Sequence, residues 1–166
     1  MIRSFLLFSP SIFWILLFAF PLTSVPLDPD QKVYHLEETF QKDFFQISFP
    51  ENSLVRSESR NRWRAVPLKG RSWLVVWRKL DRTGEFESAK KSLAEVFPGK
   101  APEQFSVQGI EIFRWEKSDL SGGNPLKIFF FLLQNQSFAY SVYVSFFPDQ
   151  KNLEDWFGVP NRYVKP

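Results

Sequence analysis

The sequence of 166 residues has no Cys, a single His and a single Met. Without Cys there is no disulfide scaffold, no Cys-ligated zinc, no iron–sulfur site and no thiol nucleophile. One His excludes a multi-His metal cluster. Charge of neither sign dominates, with 21 Lys and Arg against 18 Asp and Glu. No internal repeat, low-complexity tract or G-x-S-x-G motif is present. Aromatic residues, by contrast, are abundant: 20 Phe, six Trp and four Tyr make up 18% of the chain. That supply of apolar surface excludes a disordered chain and points to a packed domain.

The first residues read as an export segment. Arg3 supplies a positive start, Ile12 to Phe20 is an unbroken apolar run, and Thr23 and Ser24 offer a small-residue exit. This is the pattern of a secretory signal peptide over residues 1–24. The alternative is an uncleaved membrane anchor over residues 5–22, long enough for a spanning helix of roughly 17–25 residues. Pro10 argues against one continuous helix. Removal of residues 1–24 takes away one Arg and no acid, so the mature charge is 20 minus 18, or +2.

Residues 25–43 form a lead-in. Asp28 and Pro29 suit a helix start, and Val33, Leu36 and Phe40 share a helical face, so a helix is expected, with a short extended segment around Val33–Leu36 as the alternative. Residues 44–166 read as a single α+β domain. Phe45, Ile47 and Phe49 alternate with polar residues, and Pro50 ends that strand. Residues 62–66 and 72–80 form a hairpin around Gly70. Residues 83–97 carry the clearest helix, with Phe86, Ala89 and Leu93 on one face and Pro98-Gly99 as its stop. Strands follow at 105–116, 127–133 and 138–147, with Gly109 marking a bulge or a two-residue turn and residues 118–125 a loop. Phe138, Tyr140, Val142, Val144 and Phe146 alternate cleanly and define a buried face. A last helix follows from Asp149 through Leu153, Trp156 and Phe157 to Gly158. The expected fold is one antiparallel sheet of about five to six strands with two to three helices packed against it.

This order, from Ile47-Ser48-Phe49-Pro50-Glu51 through the strand at 73–77, the helix at 86–97, three strands and a C-terminal helix, resembles the PsbP-like superfamily of α/β/α sandwiches. The resemblance covers roughly residues 44–163 and rests on order, with no diagnostic motif. It implies an accessory or binding role, because that superfamily is largely non-enzymatic.

No catalytic residue, cofactor or metal site is assigned. His35 lacks a nucleophile and an orienting acid at a recognisable spacing. Asp28-Pro29-Asp30 lacks the oxygens of a calcium loop. Ser121-Gly122-Gly123-Asn124 leads into a strand, so it reads as a turn and not as a phosphate loop. Asn135-Gln136-Ser137 fits a common glycosylation pattern. Trp63, Trp73, Trp77, Trp115 and Trp156 read mainly as core.

One compositional anomaly remains. Residues 56–82 hold nine Lys and Arg against Glu58 and Asp81, a local balance of 9 minus 2, or +7. Arg60, Arg62, Arg64, Lys69 and Arg71 are the candidate anion-binding residues, with Arg60, Arg62 and Arg64 expected on one strand face and Trp63 on the other. Such a face attracts anionic lipid or anionic glycan, or docks on an envelope protein. An export signal disfavours nucleic acid. The expected function is an exported, non-enzymatic binding module of the cell envelope, periplasmic or secreted. The alternatives are a membrane-tethered structural domain and a carboxylate-dependent hydrolase of envelope or extracellular glycans. The hydrolase would use Glu111 with Glu116, or Asp149 with Glu154, provided the pair spans about 5–9.5 Å across a cleft.

Overall fold

The computed structural model describes residues 30–36, 38–70, 72–81, 83–148 and 152–166. The expected export segment, the Asp28-Pro29 start, Arg71 and Asp149 lie outside the described residues. Among the described residues no helix is long and apolar enough to cross a membrane.

The architecture is dominated by strands. Ten are described: β1 (Gln31–Tyr34), β2 (Thr39–Lys42), β3 (Phe45–Ser48), β4 (Ser53–Ser59), β5 (Arg62–Pro67), β6 (Trp73–Leu80), β7 (Glu103–Val107), β8 (Ile110–Ser121), β9 (Asn124–Gln134) and β10 (Ala139–Phe146). Eight form one antiparallel sheet in the order β1-β4-β5-β6-β10-β9-β8-β7, and β2 pairs with β3 as a separate hairpin. Helix α1 (Thr83–Val96) is the one long helix described; α2 (Leu153–Phe157) and a 3-10 turn (Pro160–Tyr163) are short.

The expected balance of five to six strands with two to three helices is therefore overturned: the domain is mostly β. The extra strands have identifiable causes. The lead-in is extended where it is described. Val33 and Tyr34 pair with Leu54 and Ser53, and Tyr34 packs edge-on to Phe49 with ring centroids 5.8 Å apart. Sheet pairing and β-prone side chains outweigh the helical spacing of Val33, Leu36 and Phe40. Leu36 is left half-exposed in a turn. The stretch at 105–116 is two strands, because Gln108 (φ 51°) and Gly109 (φ 77°) make a two-residue turn with positive φ at both positions. Gly122 and Gly123 do the same at the tip of a long β8–β9 arm, so most of the expected 118–125 loop is strand.

Both faces of the sheet bury aromatic residues. The first face gathers Trp73, Val75 and Trp77 of β6, Tyr140, Val142, Val144 and Phe146 of β10, and Phe129, Phe131 and Leu133 of β9. The β2–β3 hairpin, α2 and the 3-10 turn cover it with Phe45, Ile47, Phe157 and Tyr163. Burying each such side chain stabilises by roughly 1.5–3 kcal/mol relative to exposure. The second face is covered only in part. Helix α1 lays Phe86, Ala89 and Leu93, and the turn after it Phe97, over Leu80, Ala139, Leu132, Phe113 and Trp115. Helix α1 contacts β6, β9 and β10, while Arg56, Arg62 and Arg64 of β4 and β5 stay exposed.

Two polar clusters fix the cover. Asp43, at φ 55°, turns the β2–β3 hairpin and accepts hydrogen bonds from Lys79 Nζ (2.7 Å) and Tyr140 Oη (2.5 Å). Burial opposes ionisation of Asp43, but those two hydrogen bonds and the charges of Lys79 and Lys42 outweigh it, so its pKa is lowered. At the other end Lys127 of β9 pairs with Glu116 of β8 and with Glu154 of α2 (3.1 Å). Arg114 donates to the Gly158 carbonyl (2.6 Å) and to Glu103 (2.6 Å), tying the end of α2 to the edge strand. Gly158 has an ordinary φ of −78°. Its need for glycine is close approach: a Cβ there would lie 2.7 Å from the Glu154 carbonyl oxygen and 3.4 Å from the Phe129 ring.

Candidate functional site

The uncovered part of the second face carries an arginine ladder. Alternation along β4 puts Val55 on the buried first face and Arg56 on the second. Alternation along β5 buries Ala65 and turns Trp63 inward, leaving Arg62 and Arg64 outside. On β6, Trp77 is buried and Arg78 exposed. The pairing register then sets Arg56 directly opposite Arg64, and Arg62 directly opposite Arg78. Opposed residues have Cβ atoms about 4.5–5.5 Å apart, and like charges there are destabilising. The register is held from behind. Trp63 and Trp77 are themselves opposed and stack with ring centroids 6.2 Å apart and planes at 18°.

The ladder is partly compensated. Glu58 accepts from Arg62 Nε at 2.8 Å, and Glu85 of α1 lies 3.3 Å from Arg78 Nη2. The four arginines against these two acids and Asp30 leave 4 minus 3, or +1. Asp30 borders the same hollow as Arg56. Arg64 makes no ion pair or side-chain hydrogen bond among the described residues. All four arginines are exposed.

Three hollows flank the ladder. One of about 780 Å3 lies between Arg60, Arg62, Arg78 and Asp81. A second, of about 420 Å3, is lined by Asp30 and Glu58 as well as by Arg56, Arg64, Leu54 and Val66. A third, of about 520 Å3, is lined by Arg64, Val66, Gly70, Leu74, Leu126 and Ser145.

The sequence-derived candidates are thus divided. Arg62 and Arg64 share the ladder. Arg60 sits in the β4–β5 turn, where it lines the hollow of about 780 Å3, rather than on the strand face. Lys69 lies in the β5–β6 loop at the opposite end of β5, about 20 Å from that turn. Arg71 lies outside the described residues. Arg56 and Arg78, which complete the ladder, were absent from the candidate set. Their signal was present: each is the polar member of an alternating pair beside a buried Val55 or Trp77.

The other candidates separate as well. Glu111 and Glu116 lie on opposite faces of β8, since the residues between them alternate; Glu111 accepts from Gln134 Nε2 and Glu116 pairs with Lys127. They cannot flank one bond. Glu154 belongs to the Lys127 cluster, and its expected partner Asp149 is outside the described residues. His35 is exposed in a turn, its backbone N–H donating to Glu38. Trp73, Trp77 and Trp115 are buried, and Trp63 and Trp156 half-buried against the first face. Among the described residues no three His, Asp or Glu side chains gather as a metal site requires. Comparison with protein-family models, with characterised proteins and with solved structures finds no match to this chain.

Proposed function

We propose that the chain is an exported, non-enzymatic binding module whose arginine ladder contacts anionic surfaces. The observation that carries this reading is the direct opposition of Arg56 to Arg64 and of Arg62 to Arg78. A sheet face that only needed to be soluble would alternate signs, because opposed like charges cost stability. Four guanidinium groups on three adjacent strands present planar, always-charged donors suited to phosphate or carboxylate groups. The apolar run behind Arg3 supports export, and the resemblance in element order to the largely non-enzymatic PsbP-like superfamily agrees with a binding role. Acidic lipid headgroups and anionic glycans offer the same chemistry.

Each basic residue near an anionic membrane contributes about 1 kcal/mol, screened over roughly 8 Å at physiological salt. Sedimentation with vesicles containing phosphatidylglycerol, at low and high salt, tests the reading, with an anionic polysaccharide as a parallel arm. Binding at low salt that fades at high salt is expected. Absence of binding to both at low salt refutes it.

A further inference from the structure

A further hollow of about 490 Å3 shares no lining residue with the arginine ladder. Pairing of Glu111 with Gln134 sets the β7–β8 turn beside the β9–β10 turn. Gln108 comes from the first turn, and Asn135, Gln136 and Ser137 from the second. Phe44, in the turn of the β2–β3 hairpin, and Lys165 complete the wall. Backbone geometry fixes each segment. Gln108 and Gly109 hold positive φ in a two-residue turn. Asn135 Oδ1 accepts the backbone N–H groups of Ser137 (2.9 Å) and Phe138 (2.8 Å). The Lys165 backbone N–H donates to the Phe44 carbonyl (2.9 Å), and Val164 forms a bridge to Phe45. The half-buried Phe44 ring is T-shaped to Tyr140 with centroids 5.4 Å apart, which holds it in place. The walls are therefore set before a ligand arrives, and that lowers the cost of binding.

We propose that this hollow takes a neutral saccharide, with sugar hydroxyls on the amides of Gln108, Asn135 and Gln136 and a sugar ring against Phe44. The chemistry of the lining decides the class. Among the described residues no Asp or Glu side chain lines it, and Lys165 is its one charged side chain. The side-chain amides of Gln108 and Gln136 and the Ser137 hydroxyl make no hydrogen bond among the described residues, and Asn135 uses only its oxygen. An amide side chain offers donors and an acceptor together, as a sugar hydroxyl does. An anion only accepts, so it would leave the amide oxygens unmatched. A wholly apolar ligand would leave every amide without a partner. The Phe44 ring gives the C–H face of a sugar an apolar surface to cover. The volume falls within the roughly 300–1,000 Å3 of small-ligand sites. The site does not depend on the arginine ladder, so either fails without the other.

Ligand-observed NMR titration of the full chain with chitotriose, maltotriose and cellotriose tests this. At least one of the three should bind with a Kd of about 1 mM or tighter. Gln108→Asn shortens the side chain and keeps a residue that tolerates positive φ. Gln136→Ala removes an amide from an exposed turn position. Each should weaken binding about fivefold, the loss of one net hydrogen bond. Ser137→Ala replaces whichever of the two fails to fold. Lys165→Gln and Arg64→Gln should each stay within about twofold of the parent. No binding by any of the three sugars at about 10 mM overturns the site. Parental binding in both turn variants overturns its location. Loss of binding in Lys165→Gln, or tighter binding of trigalacturonate than of the neutral sugars, overturns the neutral class.

Discussion

Arg56 of β4 and Arg64 of β5 stand directly opposite each other because Val55 and Ala65, one residue along, are buried together on the other face of the sheet. A slip of one residue would carry the arginines into the core and the apolar pair into water, so the register is strongly specified. The core thus enforces a like-charge contact that the surface alone would avoid.

That contact should weaken the fold. Arg64→Thr removes one of two opposed charges, breaks no ion pair among the described residues and introduces a β-favouring side chain. The variant is expected to gain up to about 1 kcal/mol in urea unfolding at low salt. A smaller gain at high salt would identify the effect as electrostatic. Loss of stability would show that Arg64 is retained for packing instead.

The core of the domain was readable from the sequence, but its extent was not. The alternation from Phe138 to Phe146 gave the correct buried face, because β10 has dense packing behind Tyr140, Val142 and Val144. Helix α1 was equally clear from Phe86, Ala89 and Leu93. Strand β4 was hidden because only Ser53 and Val55 of it are buried, and its other face carries Arg56 and Glu58 into solvent. Strand β1 was hidden by a coincidental helical spacing that pairing with β4 overrides. The charge cluster was visible as composition, but its membership depended on strand phase. Without β4, Arg56 had no place on the face, and Arg60 and Lys69 were grouped with residues they do not accompany.

Val142 lies fully buried between Trp77 of β6 and Phe131 of β9. Val142→Asp would place an unpaired charge there, at a cost of several kcal/mol. The variant is expected to lose its cooperative thermal transition in circular dichroism. A melt like the parent's would contradict the assigned phase of β10.

Asp43 links the β2–β3 hairpin to the sheet through Lys79 and Tyr140, and its pKa is lowered in the folded state. A lowered carboxylate pKa contributes stability that is fully present above the unfolded value of about 3.9 and is lost as pH falls through the folded value. Asp43→Asn keeps the shape and tolerates the positive φ, but removes the charge. At neutral pH it is expected to destabilise by about 1–3 kcal/mol, the loss for hydrogen bonds to a charged group. The difference from the parent should shrink as pH falls below about 4, where the parent's carboxylate protonates. Urea unfolding across that range checks it. A pH-independent difference would mean that the carboxylate's charge contributes nothing.

Gly158 closes α2 against the Phe129 ring and the Glu154 carbonyl. Gly158→Ala forces the backbone of α2 to shift and is expected to cost about 1–3 kcal/mol. Chemical denaturation reads this directly. An unchanged midpoint would show that α2 moves freely on the sheet and does not anchor it.

The arginine ladder itself is tested most directly by sedimentation with phosphatidylglycerol-containing vesicles at low salt, comparing the parent with two variants. Arg62, Arg64 and Arg78 changed together to Ser remove three of the four opposed charges on the open face. Lys69→Ser removes a charge from a loop at the far end of β5. Loss of binding in the triple variant with near-parental binding in Lys69→Ser is the expected result. Equal binding by the parent and the triple variant would contradict a site on this face.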